Sequence, residues 1–256
     1  MLSEMLRAAM RTGTPLAGCT ISSFAPEQVE ILGLLGFDFA FIDGEHWPFN
    51  DRELLHMITA GDAVGMPCLV RVRENSPAAI QRVMDSGAAG VIVPDVSTPE
   101  LVRRVIDAVK YAPLGNRGLS TTRAAGYGIG RGLADYVKYA NEKSIVVCQV
   151  ESVEALENLE AILSVDEVDV SFIGTTDLSH SMGFTGQRDN AEVAAAVARI
   201  VACAKSKGRA YGAIVRAGED PKMYADQGYS MIVASGMSFF SGGAKKYMEQ
   251  FKAAKK

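Results

Sequence analysis

The sequence lacks an excess of positive charge and any long apolar stretch. Its 256 residues include 26 basic and 30 acidic side chains, for a net charge of -4. This balance would not attract a polyanion, so we expect neither nucleic acid nor an anionic membrane surface as a partner. The N-terminal segment carries Glu4, Arg7 and Arg11 in place of an uninterrupted apolar region. This composition argues against a signal peptide or a membrane anchor.

Cysteine is scarce, and its four copies lie far apart. Cys19, Cys68, Cys148 and Cys203 form no CxxC pair, which excludes the common zinc and dithiol motifs. The first three lie within apolar runs, where cysteine generally behaves as a small buried hydrophobic residue. Hydrophobic residues make up 48% of the chain, enough for a sizeable core. We therefore expect a soluble, reduced, cytoplasmic protein.

Short apolar runs alternate with segments of helical periodicity along the whole chain. Runs such as FAFID and IVVCQV are continuous, as is typical of strands in a buried parallel sheet. Eight such units in about 250 residues predict an α/β fold, a (β/α)8 TIM barrel, with residues 1–256 as a single domain. Two insertions, at 113–143 and 185–190, are expected where a barrel carries its functional loops. The runs begin near Leu16, Phe39, Pro67, Gly90, Ile145, Val168, Arg209 and Ser230.

Polar side chains follow the apolar runs at the points where the strands should end. In a parallel barrel these ends meet at one face, and that face carries the chemistry. A charged residue at this face needs a partner or a ligand, because burial without one is costly. The polar residues are Asp43, Glu45 and His46 after the second run, Arg71 and Arg73 in the third, Gln149 and Glu151 after the fifth, and Asp177 after the sixth.

Glu151 and Asp177 follow neighbouring predicted strands, whose backbones would lie about 4.8 Å apart. Two carboxylates this close repel each other unless a cation lies between them. An open oxygen site suits a hard divalent cation such as Mg²⁺ or Mn²⁺, with water and substrate oxygens completing its coordination. The alternative is that each carboxylate caps the helix that follows its strand.

His46 and Arg71 are candidates for proton transfer and charge stabilisation. His46 follows the sequence DGE at a strand end, which favours acid–base chemistry. Arg71 interrupts an apolar run and needs an anion: either a carboxylate, Asp43 or Glu151, or charge developing on a substrate. Asp85 ends a predicted helix, an unfavourable place for a carboxylate, so it either faces solvent or has a partner.

None of the 11 lysines lies in a predicted strand. A Schiff-base mechanism is therefore disfavoured, and metal activation of a carbonyl remains.

The glycine-rich segment 126–132 has no strand before it, so it fails the context required of a dinucleotide-binding loop. Segment 234–243 follows the eighth run, where barrels often bind phosphate, which leaves a phosphorylated ligand open.

Four segments together resemble the HpcH/HpaI aldolase family: FDFAFIDGEHWPFN, YAPLGNRGLS, CQVESVEALENLEAILSVDEVD and SFIGTTDLSHSMG. The resemblance implies a metal-dependent class II pyruvate aldolase that cleaves a 4-hydroxy-2-oxo acid to pyruvate and an aldehyde. It implies that Glu151 and Asp177 hold a divalent cation, Mg²⁺, Mn²⁺ or Co²⁺. Gln149 and the backbone at Thr176 and Asp177 would position pyruvate.

The same resemblance assigns the remaining catalytic roles and an assembly. Arg71 matches the residue that stabilises the enolate or the developing aldehyde oxygen. His46 matches the general base, made more basic by a partner that matches Asp85. The resemblance also implies a homo-oligomer, a hexamer built as a trimer of dimers, with a C-terminal helix exchanged between subunits.

The chain departs from the family pattern at three positions. Thr175 and Thr176 stand where Pro-Ala commonly precedes the metal aspartate, and Trp47 follows His46 where a small residue is usual. These changes bear on pocket volume and aldehyde preference. Ile214, at the end of the seventh run, is either a further residue on the aldehyde side or ordinary barrel packing.

Two other functions remain open from the sequence. One is a citrate-lyase-like, metal-dependent carbon–carbon lyase that acts on a thioester, although no basic cleft for a nucleotide tail is evident. The other is a non-catalytic barrel that binds an oxo acid, for which His46 would have no use.

Overall fold

A computed structural model describes residues 2–255 and contains the closed barrel that the sequence predicts. All eight strands are parallel, each pairs with its neighbours in chain order, and the eighth closes on the first. Each strand begins within two residues of its predicted start. The strands are β1 (Leu16–Ile21), β2 (Phe39–Asp43), β3 (Cys68–Arg71), β4 (Gly90–Val93), β5 (Ile145–Val150), β6 (Val170–Ile173), β7 (Ala210–Ile214) and β8 (Met231–Ser235).

Helices surround the barrel, and several begin at side-chain caps on the loops that follow the strands. Asn50 forms a capping box with Glu53, and Ser76, Thr98 and Ser152 each accept a backbone N–H of the first helical turn. Within residues 2–255, no helix has the length and apolar character needed to cross a membrane. The helices are α1 (Leu2–Arg11), α2 (Pro26–Leu34), α3 (Asp51–Ala63), α4 (Pro77–Asp85), α5 (Pro99–Val109), α6 (Leu133–Lys143), α7 (Val153–Glu157), α8 (Leu159–Leu163), α9 (Thr175–Ser181), α10 (Ala191–Ser206), α11 (Pro221–Asp226) and α12 (Gly236–Ala254).

The core has two layers, one inside the barrel and one between the strands and the helices. Helix α1 closes the amino-terminal end of the barrel, where Leu6 and Met10 pack against the inner layer. Arg7 and Arg11 fix this helix through ion pairs to the buried Asp169. All four cysteines are free, and three of them are buried as predicted.

The two insertions lie at opposite ends of the barrel. Residues 110–132 connect α5 to α6, which leads directly into the start of β5, so this insertion lies at the amino-terminal end of the strands. Its predicted place among the functional loops is therefore wrong, because it follows a helix and not a strand. The shorter insertion, 185–190, lies between α9 and α10 on the chain that follows β6. This second insertion reaches the carboxyl end, as expected.

Candidate active site

Strand alternation places a layer of polar side chains inside the carboxyl end of the barrel. Successive side chains on a strand point to opposite faces. Phe41 lies in the inner core layer, so Asp43, two residues later, also points inward. The same spacing relates Leu69 to Arg71 on β3. Gln149 continues the inward face of β5 in the same way, and these polar residues cover the apolar interior.

Arg71 lies at the centre of this polar layer and is 8% exposed. Its Nε and Nη2 atoms donate to the two carboxylate oxygens of Asp43 at 2.9 and 2.6 Å. Nη1 donates to Gln149 Oε1 at 3.3 Å, and the guanidinium lies over the Phe41 ring. Asp43 and Glu151 were the two carboxylates considered as partners of Arg71. Asp43 forms the ion pair, whereas Glu151 is connected to Arg71 only through the side chain of Gln149.

Glu151 is buried and held by two donors. Its Oε1 accepts the Asp95 backbone N–H at 2.9 Å, and its Oε2 accepts a hydrogen bond from the Gln149 side chain. Burial raises the pKa of Glu151 above its ordinary value, the two hydrogen bonds lower it, and the charges of Glu45 and Asp177 raise it again. Glu45 and Asp177 thus add negative charge near this buried carboxylate.

Gly174, at the end of β6, lies directly against the Glu151 carboxylate. A Cβ atom at this position would come within 2.5 Å of Glu151 Oε2. The absence of a side chain at position 174 thus creates the space that this oxygen occupies. No helix-capping role competes for either predicted metal ligand: Ser152 caps α7, and the N-cap of α9 is Gly174, with Asp177 in its first turn. The capping alternative for Glu151 and Asp177 is therefore wrong.

The available donors fit a hard divalent cation that keeps open positions. Among residues 2–255, no group of three His, Cys, Asp or Glu side chains forms a complete metal site. Glu151 and Asp177 would supply carboxylate oxygens, the ligand type that such a cation prefers. A cation with two protein carboxylates and several water or substrate oxygens matches the usual behaviour of Mg²⁺.

His46 lies on the loop after β2 with its side chain 59% exposed. Its Nε2 is 3.8 Å from Glu45 Oε2, and its backbone N–H donates to Asp43 Oδ1. Glu45 Oε2 is buried, lies 2.9 Å from Arg71 Nη1, and accepts no hydrogen bond from the described residues. Burial raises the pKa of Glu45, while the charges of Arg71 and His46 lower it.

One cavity of about 280 Å³ collects most of the predicted site residues. Ile214, the candidate on the aldehyde side, also lines it and is 39% exposed. Glu151 is not among the residues that line the cavity, but it accepts a hydrogen bond from Gln149, which does line it. The predicted residues that line the cavity are His46, Arg71, Gln149, Thr176 and Asp177.

Asp85 is not part of this site within one chain. It ends α4, a helix that starts at the carboxyl end of β3 and runs back to the opposite end of the barrel. There its Oδ1 pairs with Arg117 Nη2 at 2.6 Å, in the first insertion. Within a single chain Asp85 therefore does not reach His46, and Glu45 is the carboxylate that lies beside His46. The role of Asp85 stays a prediction.

Sequence reasoning assigned no site role to Glu45, Asp95 or Arg188. Asp95 adopts a positive φ of 53°, which directs its backbone N–H to Glu151. The aspartate that directly follows the apolar run VIVP could have indicated this backbone conformation from the sequence. Aspartate tolerates the left-handed region better than most residues. Arg188 lies in the second insertion and carries no comparable pattern in the sequence.

An eight-stranded parallel barrel with its charged cavity at the carboxyl ends of the strands is the architecture of a barrel enzyme. Residues 16–241 match the family model described as HpcH/HpaI aldolase/citrate lyase, and the chain belongs to that family.

Curated relatives are named aldolases, which supports a carbon–carbon lyase. A 2-keto-3-deoxy-L-rhamnonate aldolase from Salmonella gallinarum is 36% identical over 214 residues, or 83% of this chain and 79% of the relative. A 2-dehydro-3,6-dideoxy-6-sulfogluconate aldolase from Pseudomonas putida is 34% identical over 244 residues, or 94% of each chain.

Solved structures share the fold over nearly the whole chain. A HpcH/HpaI aldolase/citrate lyase family protein from Burkholderia cenocepacia superposes with a TM-score of 0.91 at 29% identity, covering 97% of this chain and 99% of that one. The citrate synthase SbnG superposes with a TM-score of 0.85 at 28% identity, covering 97% and 98%.

Proposed function

We propose that this protein is a divalent-metal-dependent aldolase that cleaves a 4-hydroxy-2-oxo acid to pyruvate and an aldehyde. The observation that carries the proposal is the continuous contact path from Asp43 through Arg71 and Gln149 to Glu151. This path fixes a guanidinium and a candidate metal ligand beside one cavity. The aldolase names of the relatives support the same reaction type.

Arg71 supplies positive charge inside the cavity without needing to move. Asp43 occupies Nε and Nη2, which leaves Nη1 as the guanidinium group that faces Gln149 and Glu45. A donor fixed in this way stabilises negative charge that develops on a substrate oxygen, because no reorganisation is needed during the reaction. Gln149 and the backbone at Thr176 and Asp177 would position the oxo acid.

Glu151 and Asp177 would hold the divalent cation, which supplies Lewis-acid polarisation of the keto group when bound. Gln149 and Asp95 orient Glu151 by donating to its two oxygens. Such supporting hydrogen bonds fix a ligand's position before the cation arrives. Mg²⁺, Mn²⁺ and Co²⁺ are the candidates.

His46 would act as the general base. It takes the proton of the C4 hydroxyl, the C3–C4 bond breaks, and the electron pair remains on the oxo-acid fragment as an enolate. Uptake of a proton at C3 then gives pyruvate, and the C4 carbonyl leaves as the aldehyde. Glu45, 3.8 Å from Nε2, stabilises the imidazolium that forms.

Pyruvate alone tests this proposal without knowledge of the aldehyde. NMR in D₂O follows deuteration of the pyruvate methyl group with Mg²⁺, Mn²⁺ or Co²⁺, and with excess chelator. We expect metal-dependent exchange that Glu151→Ala abolishes. Glu157→Ala, an exposed carboxylate on α7, is the matched control and should exchange normally. Absence of exchange with every metal contradicts the aldolase and favours the thioester lyase or the binding protein.

We also propose a homo-oligomer in which α12 packs on another subunit. This 19-residue helix has no buried residue in the single chain. Exposed apolar patches of this kind usually mark an interface. Light scattering should give a hexamer, and removal of residues 236–256 should reduce the mass to that of a smaller species. The exposed apolar residues are Met237, Phe239, Phe240, Tyr247, Met248 and Phe251.

A further inference from the structure

Arg188 is an arginine at the active-site cavity that forms no ion pair with an acidic side chain of residues 2–255. It belongs to the loop between α9 and α10 and lines the same cavity as His46 and Asp177. Its guanidinium donates to the Thr176 hydroxyl, a neutral group. Within residues 2–255, Arg188 forms no ion pair. A positive charge is therefore present at the cavity, and no carboxylate of the described residues lies within ion-pair distance of it.

The neighbouring arginines, Arg71 and Arg216, both form ion pairs with carboxylates, and Arg188 differs from them in this respect. Arg71 pairs with two carboxylates, as described above, and Arg216 pairs with Asp189 and with Glu219. Arg216 also donates to the backbone oxygen of Arg188 at 3.3 Å, which holds the loop in place. The loop is thus anchored by a paired arginine while the adjacent guanidinium stays available.

Arg188 lies on the outer side of the cavity. Together with Thr175 and Ile214 it also lines an adjoining cavity of about 340 Å³, whereas His46, Arg71 and Gln149 do not. His46, Arg71 and Gln149 therefore line one cavity only, whereas Arg188 and Ile214 lie where the two cavities adjoin. This outer side would receive the aldehyde half of the substrate.

We infer that Arg188 binds a terminal anionic group on the aldehyde fragment. The substrate class is a 4-hydroxy-2-oxo acid whose aldehyde half ends in a carboxylate, sulfonate or phosphate, and Ile214 packs against its carbon chain. Arginine suits this task because its planar fork matches the oxygens of such groups. The inference rests on the proposed aldolase function. It predicts that the enzyme prefers aldehydes with a terminal anionic group to neutral aldehydes.

Condensation of pyruvate with two matched aldehydes tests the inference. Succinic semialdehyde carries a terminal carboxylate, and 4-oxobutanamide is its neutral amide counterpart. Arg188→Gln should lower kcat/KM for the charged aldehyde by roughly 10- to 100-fold, the range expected when a hydrogen bond to a charged group is lost. The neutral aldehyde should react as before, and Arg188→Lys should recover part of the loss. Arg104→Gln, an exposed arginine on α5, is the control.

Binding without turnover provides an independent measurement. Calorimetry should show that Arg188→Gln weakens 2-oxoadipate, which has a terminal carboxylate, and leaves 2-oxohexanoate unchanged. If Arg188 only balances the charge of Asp177, both ligands and both aldehydes would weaken equally, which overturns the inference. Equal use of the two aldehydes by the unsubstituted enzyme also overturns it. If the unsubstituted protein does not catalyse deuterium exchange into pyruvate with any metal, the aldolase proposal is overturned, and this inference with it.

Discussion

Asp43 and Arg71 lie side by side in the register of β2 and β3, and their side chains form two hydrogen bonds inside the barrel. The pair is almost fully buried, at 5% and 8% exposure. Strand register therefore places the arginine beside its carboxylate.

Removal of Asp43 should destabilise the protein strongly. Asp43→Ala leaves Arg71 buried with only part of its compensation, which generally costs about 3–5 kcal/mol. Urea denaturation measures the loss in the free energy of unfolding. Asp51→Ala breaks the exposed pair with Arg82 and should cost at most about 1 kcal/mol. Equal losses of unfolding free energy in the two variants would show that the buried Asp43–Arg71 pair contributes no more to stability than an exposed ion pair.

Substitution of Gly174 should impair metal binding without unfolding the barrel. In Gly174→Ala the new methyl group competes with Glu151 Oε2 for the same space, so the carboxylate moves. We expect metal affinity to fall roughly 10- to 100-fold, as for other changes that misplace a ligand. Titration with Mn²⁺ measures the affinity. Gly132→Ala, where a Cβ meets no neighbour, should bind normally; unchanged affinity in Gly174→Ala argues against Glu151 as a ligand.

Chelation should abolish turnover reversibly while leaving the fold intact. The two apolar core layers do not include Glu151 or Asp177, so circular dichroism should not change with chelator. Activity should return on addition of Mg²⁺ or Mn²⁺. Full activity in excess chelator would contradict the metal-dependent mechanism.

Lys110 should make stability rise with pH above neutrality. It is fully buried, and its Nζ donates to the carbonyls of Asn141 and Ser144. Burial, followed by the charges of Arg7 and Arg11, lowers the pKa of Lys110 from 10.5 to about 7. Between these values the unfolded chain holds a proton that the folded chain has released, so raising the pH favours the folded state.

The comparison with Lys110→Met isolates this effect. Urea denaturation between pH 7 and pH 10 should show the unsubstituted protein gaining stability relative to the variant, by up to a few kcal/mol. Loss of the two hydrogen bonds in the variant shifts its curve by a constant amount and does not change the slope. Parallel pH profiles would show that Lys110 titrates alike in both states.

Much of the fold was predictable because a parallel barrel has a strong local signature. Each apolar run begins within two residues of an observed strand, and the order of runs determines which strands are neighbours. The expectation that Glu151 and Asp177 follow adjacent strands, β5 and β6, is confirmed for that reason. The roles of these residues stay predictions, because a spacing indicates proximity and not chemistry.

The errors came from residues whose position depends on direction in three dimensions. The first insertion was placed by its neighbours in sequence, but it follows α5, and a helix that follows a strand returns its end to the opposite face of the barrel. Arg188 was missed because its contact with Thr176 spans a loop without periodicity.

Sequence alone determined the eight βα units and the polar residues at the strand ends, since apolar periodicity is a local property. The tertiary structure alone decided that Arg71 pairs with Asp43, that Gln149 supports Glu151 and that Arg188 lies at the cavity without an ion pair among residues 2–255. These contacts join residues from different strands and loops. They depend on register and barrel closure, which bring distant side chains within hydrogen-bonding distance.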